Sequence, residues 1–446
     1  MAATESRKGA LRAALAAACG LLGVAGAPAR ATEVQSGLLG YTEPGRVSAF
    51  ELISDVKHEF ASGKVGTLRF VYDALSGSSA NGGVPSLTPQ TFTSPSGNGS
   101  YVTEPGATPL DSTFRDTRFA GSAGLTLPWG RLTTVSLGVY GSTEHDYMSL
   151  GANAALTHAF NRRNTTVSLR AARFEDTINP EGGVPIPLAP MPPPSGDGGQ
   201  DDKVNVDKAN VDKANVDKAD VDNNLGGDQA KSVTDLGLSL TQVLGRRTLL
   251  TLNYTNSRVD GYQTDPYKLI TVVDGATGAP RATNPYLYES RPDSRLKHAA
   301  AGELLQHLGR DVMTLSYRYF TDDWDIKSHT GELNYRLNFA ANQYLQPNVR
   351  WYHQTAADFY RRYLVDGAAA TSVASADYRL GDMTAMTYGL KYGRRLNSGN
   401  EVSLRVEYYA QTGESHPQDA IGDLKELDLF PTVDAWIVNV GTTFGK

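Results

Sequence analysis

Apolar and polar residues alternate with a period of two along most of the chain. The segment 401–411 is a clear example: one face carries Val402, Leu404, Val406, Tyr408 and Ala410, and the other carries Ser403, Arg405, Glu407, Tyr409 and Gln411. A helix would scatter these apolar residues around its circumference, whereas a strand collects them on one side. The pattern therefore predicts an all-β protein built from amphipathic strands of roughly 10 to 15 residues.

About 16 such segments follow residue 33, with a range of roughly 14 to 16. They lie near residues 34–43, 47–60, 64–75, 115–127, 131–142, 146–160, 164–176, 231–244, 247–260, 294–307, 311–321, 327–339, 343–355, 382–394, 400–411 and 434–445. The count varies at the first segment, because only residues 43–46 separate it from the second.

The connections between these segments alternate in length. Short turns are predicted at 61–63, 128–130, 161–163, 245–246, 308–310, 340–342 and 395–399. Long connections are predicted at 76–114, 177–230, 261–293, 356–381 and 412–433, with tighter ones near 143–145 and 322–326. The short turns follow even-numbered segments. This asymmetry predicts an up-and-down antiparallel transmembrane β-barrel with short periplasmic turns, long outer loops and both termini in the periplasm.

An exported soluble β-sandwich or propeller is the competing interpretation. Its strands would be shorter, about five or six residues, and its connections would not alternate in length. Aromatic residues near the segment ends also match the interfacial girdles of membrane barrels. They are Tyr72, Trp129, Tyr140, Phe160, Tyr254, Trp351, Tyr392, Trp436 and Phe444. Both features favour the barrel.

The first 31 residues have the pattern of a cleavable secretory signal peptide. Basic residues precede an apolar stretch at 15–27, and Ala29-Arg30-Ala31 provides small residues at the cleavage site. A membrane anchor is the alternative, but the stretch is too short and ends at Pro28. We therefore expect residues 32–446 to form a single barrel in the outer membrane of a Gram-negative bacterium.

Composition narrows the kinds of chemistry expected of the mature chain. Cys19 is the only cysteine and lies in the predicted signal peptide, so the mature chain is expected to lack disulfides and thiolate chemistry. The net charge of −6 offers no basic field for nucleic acid. The eight histidines show no metal-binding spacing: His58, His145, His158, His298, His307, His329, His353 and His416. No nucleophile motif appears. We predict no catalytic, metal or cofactor-binding residue.

A pentapeptide repeat occupies residues 201–224, with copies such as VNVDK and ANVDK. Its recurring aspartates suggest calcium binding, yet Asp207, Asp212 and Asp217 are each followed by lysine, and the spacing of an EF-hand is absent. We interpret the repeat as an insertion in the mobile outer loop at 177–230.

The polar face is the candidate functional surface, because it lines the lumen of a barrel. Its charged residues are Arg69, Asp73, Arg170, Arg318, Glu332, Arg336, Arg350, Lys391, Arg405 and Glu407. These charges suit two structures: a water-filled, porin-like pore, or a closed lumen rigidified by ion pairs. The room expected inside about 16 strands favours the pore, and the basic excess after the eighth segment favours anions.

Several segments carry a family resemblance. They include VYDALSGSSANGGVPS (71–86), STEHDYMSLG (142–151), LNYTNSRVDGYQTDPYK (252–268), YRYFTDDWDIKSHTGELNYR (317–336), YLQPNVRWYHQTAADFY (344–360) and ADYRLG (376–381). Nearly the whole mature chain resembles the proteobacterial domain-of-unknown-function family 3570 (DUF3570).

The resemblance implies an outer-membrane barrel. It also implies genes nearby for a lipoprotein, a thioredoxin-like protein and a flavin-transferring enzyme, so periplasmic or lipoprotein partners are expected beside outer-membrane lipid. We predict a non-enzymatic channel, or the membrane component of an envelope assembly that is flavin- or redox-linked. The alternatives are an outer-membrane enzyme and a closed structural or binding barrel.

Overall fold

The structure is a computed structural model that describes residues 32–93, 99–111, 114–180, 183–192 and 228–445. Within these ranges, sixteen strands form a closed barrel. They are β1 (Thr32–Thr42), β2 (Ser48–Glu59), β3 (Val65–Ser76), β4 (Arg115–Trp129), β5 (Thr133–Thr143), β6 (Tyr147–Phe160), β7 (Thr165–Ile178), β8 (Gln229–Gly245), β9 (Thr248–Gly261), β10 (Ser294–Leu308), β11 (Asp311–Asp322), β12 (Lys327–Ala340), β13 (Gln343–Gln354), β14 (Met383–Arg395), β15 (Glu401–Thr412) and β16 (Val433–Phe444). In the described ranges, no helix has the length and apolar character needed to span a membrane.

Every barrel strand pairs antiparallel with its sequence neighbours, and β1 closes the ring against β16 from Val34↔Phe444 to Thr42↔Trp436. The ring therefore leaves no strand edge unpaired, as a membrane barrel requires. The predicted sixteen-strand up-and-down topology is confirmed. The predicted signal peptide (1–31) and the repeat (201–224) lie outside the described residues.

The apolar face of the barrel points outward. Leu68, Leu137 and Val139 are 59, 50 and 58 % exposed, respectively. A continuous apolar band around a closed barrel is the surface that a bilayer covers, so the chain is an outer-membrane barrel. Two of the predicted girdle aromatics differ: Tyr140 is on the lumen side of β5 and contacts Phe174, and Tyr72 is buried beside Phe119. Strand alternation explains Tyr140, because outward-facing Val139 precedes it.

The alternation of short and long connections is also confirmed, and several long ones contain regular structure in the parts that the structure describes. Leu269–Val273 forms a small sheet with Tyr286–Tyr288 and Leu364–Val365, and Gln90–Thr93 pairs with Ser100–Thr103. Three short 3₁₀ turns lie at Asn161–Arg163, Tyr378–Leu380 and Gly422–Glu426.

We call the described residues of the connections after odd-numbered strands the outer cap. Its centre is the connection 262–293 between β9 and β10, which bonds to the loops around it. Leu269 N–H donates to the Asn81 carbonyl (2.7 Å), and Asp423 N–H donates to the Thr277 carbonyl (3.0 Å). In addition, Ser290 and Ala374 exchange backbone hydrogen bonds of 2.8 and 2.9 Å.

These contacts span the outer mouth of the barrel. Loop 77–114 follows β3, and loop 413–432 follows β15. Each of these two strands lies six positions from β9 around the ring, in opposite directions. Their side chains join one hydrophobic cluster with the central connection: Val84, Val273, Ala420, Leu424 and Leu427. Gly278 and Gly422 permit the close approach, since a Cβ at either position would lie 2.3 or 2.0 Å from a carbonyl oxygen of the facing loop. The cap is thus a packed layer across the mouth.

Candidate functional site

All ten charged residues singled out from the sequence lie opposite the exposed apolar rows, and therefore on the lumen side. Leu404 and Val406, for example, face outward, which turns Arg405 inward. The same alternation places the others: Arg69, Asp73, Arg170, Arg318, Glu332, Arg336, Arg350, Lys391 and Glu407.

The wall of β2–β4 holds its charges in pairs. Arg69 makes two hydrogen bonds to Asp55, of 2.6 and 3.0 Å. Arg118, a residue not singled out from the sequence, lies 2.5 Å from the Asp73 carboxylate. Cation and anion therefore neutralise each other along this wall.

The wall of β12–β15 differs, because within the described part of the chain its Arg336 and Lys391 side chains form no ion pair with a carboxylate. Arg336 stacks over the Tyr344 ring with its guanidinium carbon 3.5 Å from the ring centroid, and the Lys391 amine lies 5.9 Å from the same centroid. Arg405 is the register partner of Lys391 on β15. We call Arg336, Lys391 and Arg405 the cation cluster. Gly393 leaves room for Tyr344, because a Cβ there would meet its ring at 2.1 Å.

Ion pairing in the cluster is weak. Among the described residues, no carboxylate oxygen lies within 4.0 Å of the Arg336 or Lys391 nitrogens, and Arg405 reaches Glu407 only at 3.5 Å. On β11, the guanidinium carbon of Arg318 lies 5.6 Å from the centroid of the Phe320 ring. This half of the lumen therefore presents a net positive surface, and cation–π contacts hold its side chains in place.

A cavity of about 490 Å³ lies beside the cluster, between the barrel wall and the cap. We call it the lumen chamber. Its charged lining residues are Glu43, Glu332, Arg350, Arg379, Arg405 and Glu407. Glu43 and Arg379 come from the cap and the others come from barrel strands, so the chamber lies where cap and wall meet.

Arg379 also belongs to a buried ion network within the cap. The network comprises Asp265, Lys268, Glu289, Arg291, Asp377 and Arg379. Arg291 contacts Glu289 at 2.6 Å and Asp377 at 2.8 Å. Arg379 contacts Asp377 at 2.6 Å and Asp265 at 2.8 Å. These ion pairs join the connections 262–293 and 355–382.

Two carboxylates of the network are so deeply buried that each depends on a cationic partner to compensate its charge. The side chains of Glu289 and Asp377 are 0 and 1 % exposed. Ser375 donates its hydroxyl to Glu289, and Lys268 donates to the Ala80 carbonyl at 2.5 Å, which brings the loop after β3 into the network. Removing one member of a buried pair strands the other charge in a low-dielectric interior.

Burial raises the pKa of Glu289 to about 7, because it outweighs the nearby Arg291 guanidinium. Asp377 behaves oppositely: despite burial, Arg379 and Lys268 hold its pKa well below the usual range. Asp377 therefore stays ionised in mild acid, while Glu289 gains a proton.

These directions predict that the cap is more stable in mild acid than at pH 8. A raised carboxyl pKa gives stability that is present below the unfolded value and is lost as the pH rises through about 7. The Glu289 contribution is at most about 3 kcal/mol. Limited proteolysis of the cap at about pH 5 and pH 8 measures it. Glu289→Gln, which cannot ionise, should remove the difference, and a wild-type cap that is cleaved faster at the lower pH would contradict the assignment.

Sequence reasoning missed the network. Its residues are far apart in the chain and lie in loops without periodicity, so no pattern joined them. One signal was available: the segments 252–268 and 376–381, which carry the family resemblance, contain Asp265, Lys268, Asp377 and Arg379. A sequence in an outer loop that resembles the family indicates that the loop is packed.

Three half-buried carboxylates also meet at the outer end: Asp116, Glu144 and Asp146, with oxygens within 4.8 Å of one another. Arg118 lies 4.0 Å from Glu144, and the Tyr267 hydroxyl donates to Asp146. Protein side chains thus already contact Glu144 and Asp146.

Three of the histidines, His298, His329 and His353, lie on the outer face of β10, β12 and β13 beside aromatic rings.

Comparison with known proteins gives one family and a set of similar folds. The model of the family described as "Protein of unknown function (DUF3570)" matches residues 11–444. No curated protein matches the sequence at a significant level.

Among solved structures, a bacterial polysaccharide outer membrane secretin is 8 % identical with a TM-score of 0.43, over 93 % of this chain and 98 % of that one. OccAB1 from Acinetobacter baumannii is 9 % identical with a TM-score of 0.37, over 93 and 95 % of the two chains. The outer membrane protein opdK from Pseudomonas aeruginosa is 9 % identical with a TM-score of 0.38, over 93 and 98 %. Likeness at this level carries no functional argument.

Proposed function

The chain belongs to the DUF3570 family of proteins of unknown function, and we propose from its own geometry that it is a capped outer-membrane channel for small anions. The observation that carries the proposal is the cation cluster on the lumen wall, which reaches the lumen chamber under the cap through Arg405. We propose no catalytic step, and the barrel acts by binding and passage.

The cation cluster supports the choice of anions. Arg336 and Lys391 hold their charge in the lumen with an aromatic ring, rather than a carboxylate, as the near neighbour. A cationic constriction attracts anions and repels cations. Two carboxylates of the chamber, Glu332 and Glu407, lie farther toward the cap along β12 and β15. Glu407 reaches Arg405 at 3.5 Å, but neither carboxylate forms an ion pair with Arg336 or Lys391.

Arg379 supports a gating role for the cap. Its guanidinium binds Asp377 and Asp265 in the network, and half of the side chain is exposed toward the chamber. An anion that reaches the chamber competes with these carboxylates for Arg379. Binding below the cap would therefore weaken the network that holds the outer loops together.

The test is planar-bilayer conductance of the refolded mature chain in a potassium chloride gradient. We expect small conductance steps with a reversal potential on the anion-selective side. Cation selectivity would overturn the proposal. So would absence of conductance both from the intact protein and from a protein whose cap has been trimmed by protease.

Absence of conductance in both states would favour the other reading of the barrel, a membrane component of an envelope assembly. In that case the cap and the periplasmic turns are the surfaces for a periplasmic or lipoprotein partner. Crosslinking and pull-down from native membranes would then identify the partner directly.

A further inference from the structure

The lipid-facing wall of β6–β9 carries a shallow apolar groove of about 620 Å³. Ala154 on β6 pairs with Ala171 on β7, which pairs with Leu236 on β8. Leu169 and Leu238, which are 55 and 46 % exposed, rise beside the two alanines. The short side chains thus leave an apolar depression between these leucines.

Two arginines lie just beyond the groove, toward the cap. Arg173 on β7 and Arg258 on β9 are both register partners of Thr234 on the strand between them. Arg173 donates to the Thr234 hydroxyl at 2.7 Å. The arginine side chains are 52 and 66 % exposed on the outer face.

A carboxylate follows each arginine, one register row farther out. Arg173 contacts Glu175 at 2.7 Å, and Arg258 contacts Asp260 at 2.8 Å. Glu175 and Asp260 are both register partners of Ser232. The outer wall therefore presents, in order toward the cell exterior, an apolar groove, two guanidinium groups and two carboxylates.

We propose that this surface binds one membrane lipid whose headgroup carries a phosphate followed by an ammonium group. The acyl chain fills the groove, the phosphate meets Arg173 and Arg258, and the ammonium meets Glu175 and Asp260. Charge complementarity selects a zwitterion, because the cations and carboxylates balance and their order matches that of the headgroup. Each guanidinium has five N–H donors, so donors remain for a phosphate after the present contacts are made.

Native mass spectrometry of the detergent-purified full chain tests the proposal. The probes are phosphatidylethanolamine, phosphatidylglycerol and diacylglycerol with the same acyl chains. We expect one phosphatidylethanolamine to bind about tenfold more tightly than diacylglycerol. Phosphatidylglycerol, which has the phosphate but no ammonium, should fall between them.

Three variants assign the three parts of the site. The double variant Arg173→Gln/Arg258→Gln should weaken phosphatidylethanolamine binding by about tenfold or more. Glu175→Gln/Asp260→Asn should abolish the preference for phosphatidylethanolamine over phosphatidylglycerol. Ala171→Phe fills the groove and should weaken all three lipids. Resistance of the barrel to unfolding in unheated detergent gels verifies folding of each variant.

Lys327→Gln is the matched control. Lys327 is an exposed cation on the outer face of β12, 3.0 Å from the carboxylate of Asp325 two residues away, outside the groove. Its substitution should leave lipid binding unchanged. Equal binding of all three lipids, or no effect of the double arginine variant, would overturn the proposal. A dimer that Ala171→Phe dissociates would instead assign the groove to a contact between two copies. None of these readouts depends on conductance.

Discussion

Replacing Asp377 with asparagine is expected to destabilise the outer cap by up to about 3–5 kcal/mol, because Arg291 and Arg379 lose the buried carboxylate that they share. Each arginine then keeps one carboxylate partner, Glu289 for Arg291 and Asp265 for Arg379. The barrel itself should remain folded, since its strands are held by the closed backbone ladder. We expect the cap loops to become protease-sensitive and the mean conductance of the channel to rise. Limited proteolysis and planar-bilayer recording measure the two effects on one preparation.

Asp366→Asn is the control for this change. Asp366 lies in the same connection and pairs with Arg281 at 3.1 Å, but its side chain is 54 % exposed. An exposed pair of this kind contributes about 1 kcal/mol or less. If the two variants are cleaved at the same rate, the buried network does not hold the cap. If Asp377→Asn loosens the cap without changing conductance, the cap is not the gate.

The second large effect is expected from reversing the cation cluster. The triple variant Arg336→Glu/Lys391→Glu/Arg405→Glu should move the reversal potential from the anion-selective to the cation-selective side, because it inverts the charge of three lumen-facing side chains. In a tenfold salt gradient, the reversal potential of an ideally selective pore is about 59 mV. The measurement is the zero-current potential in that gradient.

Arg394→Glu serves as the control, because it changes an exposed charge on the same strand as Lys391 but on the opposite face. It should leave the selectivity of the pore unaltered. A triple variant that retains anion selectivity would show that the cluster does not line the conducting path.

The barrel was predictable because its causes are local. Each strand needs only an alternation of apolar and polar positions, as in Leu404-Arg405-Val406, and a membrane forces the strands to close. The length of the connections then orients the chain. That residues such as Arg336 and Lys391 face the lumen also follows from one strand alone, because alternate residues of a strand face opposite sides.

The cap and the chamber were not predictable in this way. Glu289 and Asp377 meet across 88 positions of sequence (377 − 289 = 88) in segments without periodicity. The stacking of Arg336 on Tyr344 depends on the register of two strands and on the space that Gly393 leaves on a third. Loops were expected to be long and external, and their packing on one another came only from the structure.

The pairing of β1 with β16 has a consequence for how the protein is assembled. Strand β16 is the last of the sixteen barrel strands to be made, so the ring cannot close until all sixteen have been synthesised and exported. Connections from around the whole ring must also be in position before the cap can pack, and this requires contacts of high sequence separation. The packed cap is therefore a late product of biogenesis. Protease resistance of its loops would report completed insertion in living cells, at a time when most strand hairpins are already formed.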